Sequence, residues 1–482
     1  MHPTIRDVSR RAALKSAAAG FGYVAFAGLS TMAAEKEKAN GGVKGRDNPL
    51  ATRETHFPAR AKRVIFLCME GAPSHVDTFD YKPKLPEFDG KSMAGSRRRL
   101  AKVLASPFAF AQHGESGLWI SDAFPELAKQ ADKLCLLRGM HTDVPAHSQA
   151  FLQMHTGIFQ FKRPSMGAWT FYGLGTENDN LPGFVTINPP LRNGGPSNYG
   201  SAFLPAVYQG TPLRTGFGGF RGGGGFGRRR GPTSSGSVSN IRNPRQSTEA
   251  QRLQLDYIQS LNREALEREP INPGVEGAIE SYELAFRMQR ELPKLTDISS
   301  ETAATQSMYG IGTQATDSFG RQCLLARRFV EAGVRFVEIT SGGWDHHTDL
   351  QNALTNKAQS VDKPIAGLLQ DLKSRGMLED TLVLWGGEFG RTPYAQGRDG
   401  RDHNHRGFTT WMAGGGVRPG FSYGATDDYG YEAIEGKIHI HDWHATILHL
   451  LGLDHEKLTF RYAGRDMRLT DVKGNVVEHI MA

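Results

Sequence analysis

The sequence predicts one large α/β domain, a mostly parallel central sheet with helices on both faces. Two observations predict it. Short apolar runs that stop abruptly in polar residues alternate with stretches of helical periodicity, and the acids and histidines gather where those runs end. A strand buried on both faces reads as a continuous apolar run rather than an alternating one, which is the pattern seen here.

The first such run is Arg63-Val64-Ile65-Phe66-Leu67-Cys68-Met69, closed by Glu70-Gly71. Helical periodicity follows over 124–133, a strand over 134–137 and a helix over 149–156. Residues 246–288 read as helical, with Leu253, Tyr257, Leu261, Tyr282, Leu284 and Phe286 available for packing, and form a helical insertion that caps or flanks the sheet. The last third carries the plainest alternation. It reads as a helix over 317–331, a strand over 335–339, a helix over 361–375, strands over 381–385 and 408–413, and a helix over 444–451. Ligands of open α/β sheets bind beyond the carboxyl ends of the strands.

The net charge of +7 invites a nucleic-acid reading, but its distribution argues against one. Residues 1–34 carry Arg6, Arg10, Arg11 and Lys15 against Asp7, and residues 215–245 carry six arginines and no acid, so the remaining body holds a charge of about −2. Ser9-Arg10-Arg11-Ala12-Ala13-Leu14-Lys15, a mildly apolar stretch to Leu29 and the small residues before Ala34 resemble a twin-arginine export signal. The apolar stretch is shorter than the ~20 residues that span a bilayer. No other stretch is long and apolar enough to be a transmembrane segment. The expected organisation is a signal peptide over 1–34, a linker over 35–60 and the α/β domain over 61–482. The Gly/Arg-rich tract at 215–245 is a flexible, disordered insertion that cannot pack a core. Arginine-glycine-phenylalanine tracts can stack on RNA, yet an exported protein meets little of it, so no nucleic-acid partner is expected. Cys68, Cys135 and Cys323 are odd in number, far apart and set in apolar runs, as buried inert thiols are.

Four clusters carry the chemistry. Glu70, Ser74, His75, Asp77 and Asp80 follow the first strand, and Trp344-Asp345-His346-His347-Thr348-Asp349 follow the strand over 335–339. Glu388-Phe389-Gly390-Arg391-Thr392 follow the strand over 381–385, and Arg401-Asp402-His403-Asn404-His405 precede Phe408. Carboxylates and imidazoles brought from separate strand ends are the donors a divalent cation needs, and ligand type leaves zinc, manganese and calcium open.

With these stretches the chain resembles the alkaline phosphatase superfamily. It resembles more closely a sulfatase-like bacterial family called domain of unknown function 1501, from about His56 to the C-terminus. The closer resemblance rests on Arg63-Val64-Ile65-Phe66-Leu67, Gly342-Gly343-Trp344-Asp345-His346-His347, Gly386-Gly387-Glu388-Phe389-Gly390-Arg391-Thr392-Pro393, Gly400-Arg401-Asp402-His403 and the run from His444 to Gly452. It implies an alkaline phosphatase-like fold and one or two divalent metal ions. Their donors are Glu70, with Asp77 as competitor, then Asp345 with His347 or His346, then Glu388, and His403 or, with a shifted loop, His405. Where the superfamily pattern has a histidine, this chain has Phe389, so one donor is missing.

The nucleophile departs further. In the superfamily the nucleophile stands nine residues before the threonine of a Leu-Thr-Gly or Val-Thr-Gly turn; the turn here resembles Met154-His155-Thr156-Gly157, and the resemblance puts His147 in that place, with Ser148 beside it. No cysteine lies in the sulfatase motif, which argues against formylglycine chemistry. His147 is expected to attack phosphorus, ligate metal, or act as acid or base. Ser148 and Thr142 are the other candidate nucleophiles. Arg391 is expected either to neutralise a developing oxyanion or to form a structural ion pair. The resemblance implies an exported, periplasmic or extracellular hydrolase of phosphate or sulfate esters, on a small-molecule or polysaccharide substrate. The alternative is a catalytically degenerate envelope protein that recognises anionic polysaccharide. The sequence leaves the oligomeric state open.

Overall fold

A computed structural model of the chain describes residues 50–92, 101–215, 246–268 and 273–482. The expected signal peptide and all but the first residue of the Gly/Arg-rich insertion lie outside the described residues. The strands that place the site are β1 (Arg63–Glu70), β2 (Leu134–His141), β3 (Phe184–Ile187), β4 (Thr211–Leu213), β5 (Phe336–Gly342), β6 (Thr381–Gly386), β7 (Gly390–Gln396), β8 (Gly400–Asn404), β9 (Phe408–Ala413), β10 (Phe421–Tyr423) and β11 (Ile438–His439). The main helices are α1 (His147–Thr156), α2 (Met166–Leu174), α3 (Thr248–Arg268), α4 (Pro273–Thr296), α5 (Asp317–Glu331), α6 (Leu350–Ser374) and α7 (Ile440–Leu450).

Nine strands form one sheet in the order β10-β2-β9-β6-β1-β5-β3-β4, with β11 also paired to β2. Every pairing is parallel except those of β9, which runs against both β6 and β2. This one reversal matters for the site. Phe408, the first residue of β9, lies opposite Met140 near the carboxyl end of β2, so the loop that enters β9 sits on the edge where the parallel strands end. The fourth cluster therefore joins the others by preceding its strand, where the other three follow theirs.

The central strand β1 is buried along almost its whole length. Its side chains alternate, with Ile65, Leu67 and Met69 in one core and Val64, Phe66 and Cys68 in the other. Helices α5 and α6 close the first core, and α1, α2 and α7 close the second. Each fully buried Val, Leu, Ile or Phe of such a strand contributes roughly 1.5–3 kcal/mol.

Three sequence expectations meet differences. Helix α6 starts at Leu350 rather than near 361 and carries Pro364 inside it. On α3, Leu253, Tyr257 and Leu261 are exposed, and Gln251, Leu255 and Gln259 face inward. The α3–α4 pairing is polar there: Gln259 donates to the Ile279 carbonyl at 2.8 Å and Arg252 bonds Glu283 at 2.8 Å. Residues 50–60, expected in the linker, run along the body. Leu50 is buried, the Arg53 guanidinium donates to the Tyr208 hydroxyl at 2.6 Å, and the backbone of Arg60 donates to the Leu450 carbonyl at 2.9 Å. Among the described residues no helix is long and apolar enough to cross a membrane.

Candidate metal centre

The site is assembled from three segments that the sheet brings to one edge. After β5, Gly343 turns the chain with φ +94° and Trp344 buries its indole in the core, which presents Asp345 and His347 above the sheet. His147 is the first residue of α1, whose apolar side packs Phe151 and Met154 on the sheet. His403 lies on β8 directly across the β7–β8 hairpin from Arg391, beside an irregularity in the pairing that re-aims the strand. Gly400 lets this hairpin approach the Asp345–His347 loop, since a β-carbon there would come within 2.0 Å of the His347 carbonyl carbon.

The donors converge on one atom, Oδ1 of Asp345. His347 Nε2 lies 2.9 Å from it, His147 Nε2 3.2 Å, His403 Nε2 3.3 Å and Arg391 Nη2 2.6 Å. His347 Nε2 and His403 Nε2 are themselves 3.0 Å apart. One ligating atom from each of His147, Asp345, His347 and His403 lies within 4.8 Å of the other three.

These positions fit a cation better than they fit hydrogen bonding alone. A carboxylate oxygen has about two lone pairs to offer, and four nitrogens approach this one. Two of the imidazoles have their other nitrogen anchored: His147 Nδ1 lies 2.6 Å from Glu388 Oε1, and His403 Nδ1 lies 2.7 Å from the Pro145 carbonyl. With Nδ1 donating, a neutral ring would turn its Nε2 lone pair towards the carboxylate, so a proton or a cation has to lie between them. His147 Nε2 is buried and rests on Asp345 Oδ1 at 3.2 Å. Donors about 2.1 Å from a tetrahedral cation stand about 3.4 Å from one another, close to the separations observed.

The electrostatics agree. Burial opposes charge on His147, but its bonds to Asp345 and Glu388 outweigh that and raise the imidazole to about 9, so a proton holds the place of a cation when none is bound. Burial alone would raise the Asp345 carboxyl, yet hydrogen bonds from His147 and His403 and the charge of Arg391 hold it well below the usual carboxylate range. Burial and the same arginine push His347 down, keeping it a neutral donor. Phe389 packs its ring 4.9 Å from that of His147 and 4.8 Å from that of His403, and so steadies two donors.

Of the eight expected metal donors, the structure brings Asp345, His347 and His403 together, and His147, expected as nucleophile, ligand or acid–base group, completes the four. Glu388 stands one residue behind, holding His147 and accepting from the Gly71 backbone at 3.1 Å. Glu70 lies nearby but outside the group. Its carboxylate accepts from Asn193 at 2.8 Å, and burial raises its carboxyl despite that bond. Asp77 is taken by a different partner. Arg401 grips it with bonds of 2.6 and 2.9 Å, and both side chains are fully buried. His346 turns to the Gly343 carbonyl at 3.1 Å and packs by Trp344; burial lowers it to about 4. His405 is half-buried and outside the group.

The expected anion-binding and nucleophilic side chains are placed as follows. The Arg391 guanidinium is 1% exposed and donates to Asp345 and to the Gly71 and Ala72 carbonyls, so it braces the loop after β1 against the loop after β5. Ser148 Oγ is exposed and donates to Asn193 at 3.2 Å, while Thr142 Oγ1 is buried on Gln153 at 3.0 Å. Sequence reasoning missed Asn193, which bridges Ser148 and Glu70 from a backbone at φ +34°. It also missed Glu338 and His155, buried in the core 3.3 Å apart. A glutamate in the middle of the apolar strand Phe336–Gly342 was the available signal for them.

A family model described as protein of unknown function (DUF1501) matches residues 61–481. No curated protein matches the sequence. Among solved structures, the chain is similar to a lipoteichoic acid synthase from Listeria monocytogenes, at 10% identity over 87% of this chain and 78% of that one, with a TM-score of 0.38. A protein of the alkaline phosphatase superfamily from Vibrio parahaemolyticus is similar at 8% identity, over 91% and 78% of the two chains, with a TM-score of 0.35. A sulfatase from Pseudoalteromonas sp. is similar at 13% identity, over 90% and 72%, with a TM-score of 0.33. The family match runs from the start of the body almost to the last residue, and the chain belongs to the family of unknown function DUF1501.

Proposed function

We propose that this chain is an exported, metal-dependent hydrolase of phosphate or sulfate esters, with phosphate the better fit because the sulfatase cysteine motif is missing. The observation that carries this reading is the approach of three imidazoles and an arginine to one oxygen of Asp345 at the carboxyl edge of the sheet. His147, Asp345, His347 and His403 hold the cation, Glu388 fixes His147, and Arg391 fixes Asp345. Three imidazoles and one carboxylate favour zinc over calcium, which takes six or more oxygens. A divalent cation there would supply a Lewis acid to the ester oxygen by accepting a further ligand beyond these four, and would make water a better nucleophile.

Water is the attacking group in this reading, because His147 is committed at both nitrogens. Its oxygen bonds to phosphorus as the bond to the ester oxygen breaks; one proton leaves with the alcohol and the other goes to solvent. The substrate is a small-molecule or polysaccharide ester, with no role for nucleic acid, and the twin-arginine leader carries the folded protein to the periplasm or beyond. A second reading, binding of an anionic polysaccharide without turnover, is favoured by one observation. The four donors include no hydroxyl or thiol, and Arg391 is buried on other partners.

The test is a panel of phosphate monoesters, phosphate diesters and sulfate esters, assayed with zinc, manganese or calcium on the wild type, Asp345→Ala and Ser148→Ala. Hydrolysis of at least one ester is expected, lowered by more than about 100-fold in Asp345→Ala and retained in Ser148→Ala. A wild type that binds metal and cleaves nothing leaves the binding reading. Loss of turnover in Ser148→Ala contradicts attack by water.

A further inference from the structure

Beneath the edge site lies a second group of donors. Cys68 on β1, His155 on α1 and Glu338 on β5 each place one ligating atom within 4.8 Å of the other two, and all three are buried, at 0%, 2% and 2% exposure. β1 and β5 are adjacent parallel strands with Phe66 opposite Glu338 and Cys68 opposite Thr340, so the thiol and the carboxylate come from neighbouring positions of the sheet. The helix α1 lies over them.

The partners of these side chains are too few for their burial. Glu338 Oε1 lies 3.4 Å from the Thr340 hydroxyl and 3.3 Å from His155 Nε2, and a carboxylate inside a core needs better compensation than that. His155 Nδ1 lies 2.7 Å from the Phe151 carbonyl and donates to it, which aims the buried Nε2 at the group; burial opposes charge on this ring, but Glu338 at 3.3 Å outweighs it and raises the imidazole, so a proton holds the place that a cation would take. The surroundings are negative: burial raises the Cys68 thiol, and the carboxylates of Glu338, Glu388 and Glu70 all raise it further. A thiolate, a carboxylate and a neutral imidazole sum to the charge that one divalent cation cancels, and sulfur with nitrogen suits zinc.

We propose that Cys68, His155 and Glu338 form a buried structural site for a divalent, zinc-like cation. The site joins β1 and β5 to α1, whose first residue, His147, belongs to the edge site eight positions earlier. A cation there sets the seat of the helix that presents His147. Because the donors are closed off from solvent, the cation is acquired while the chain folds, which suits export in the folded state. The inference does not rest on ester hydrolysis and survives its failure.

The test uses the full chain produced in medium where cobalt replaces zinc. Thiolate bound to cobalt gives a sulfur-to-metal charge-transfer band in the near ultraviolet, which the edge site, having no sulfur, cannot give. The band is expected in the wild type and in Asp345→Ala, and absent from Cys68→Ser, which binds one cobalt per chain fewer. A folded wild-type protein produced with cobalt and lacking the band overturns the proposal, whatever the variants do, and so does a band that persists in Cys68→Ser. In that event a proton shared by His155 and Glu338 holds the group together. Should Cys68→Ser fail to fold, Glu338→Gln is read in its place by cobalt content, with one fewer per chain expected and an unchanged count contrary.

Discussion

Two carboxylates on the same edge of the sheet face arginines of the same hairpin and have opposite characters. Asp77 receives the fork of Arg401 on both oxygens, at 2.6 and 2.9 Å, with Ser74 as a further donor, and nothing of the ion pair reaches solvent. Asp345 receives Arg391 at 2.6 Å, but three imidazoles crowd the same oxygen and its side chain is 42% exposed. The first is a closed, satisfied pair; the second is open and has more donors than one oxygen can serve. Satisfied buried charge holds a structure together, whereas crowded, accessible charge marks the place where a ligand is missing from the arithmetic.

The comparison is sharpest when each side is removed. Asp345→Ala is expected to lose its cation and more than about 100-fold of its turnover while keeping its fold, read by elemental analysis, ester assay and circular dichroism. Arg401→Ala is expected to do the reverse, retaining the edge cation while urea unfolding shows a loss of about 3–5 kcal/mol, because Asp77 is left charged and unpaired in the core. If both variants lose metal and stability alike, the distinction between the two carboxylates fails.

Two histidines extend the comparison to pH. His147 in the open group is pushed up to about 9, and His444 in the closed core is pushed down to about 3 by burial, its Nε2 donating to the Met154 carbonyl at 2.7 Å. A depressed histidine contributes stability that is present above its unfolded value of 6.5 and is lost as pH falls from there towards 3. Each unit of that shift corresponds to about 1.4 kcal/mol, so acid titration of stability should fall by a few kcal/mol across this window. His444→Gln, which keeps a donor for Met154, should flatten the fall, and an unchanged acid limb would contradict the assignment. The smallest expected effect belongs to Glu388→Gln. It leaves all four donors in place but loosens His147, weakening metal affinity about 10- to 100-fold, as measured by competition with a chelator; no change would show that Glu388 serves only the Gly71 backbone.

Much of this architecture was legible in the sequence. β1, β5, β6 and β9 are buried on both faces and largely apolar, so they stood out as runs, and the residues just beyond them included Asp345 and His347. The direction of β9 was not legible, because an apolar run reads the same both ways. Nor could spacing tell which loop side chains turn inward. Asp77 and Asp345 look equivalent in sequence, and what separates them is the position of Arg401 across a hairpin. His147 came from counting along a family pattern, but its bond to Glu388 depends on two elements 241 residues apart. On α3, an apolar stripe was visible at Leu253, Tyr257 and Leu261, yet the polar bonds of Arg252 and Gln259 to α4 set the opposite face inward.

In the proposed reading His147, Asp345, His347 and His403 surround one cation. Anomalous diffraction at the zinc edge from crystals grown with zinc tests it most directly. A peak is expected, bounded by those four side chains, about 2.0–2.2 Å from each donor atom, with Arg391 still on the loop after β1. Asp345 held by Arg391 and the three histidines in the presence of excess zinc, with no peak between them, would contradict it.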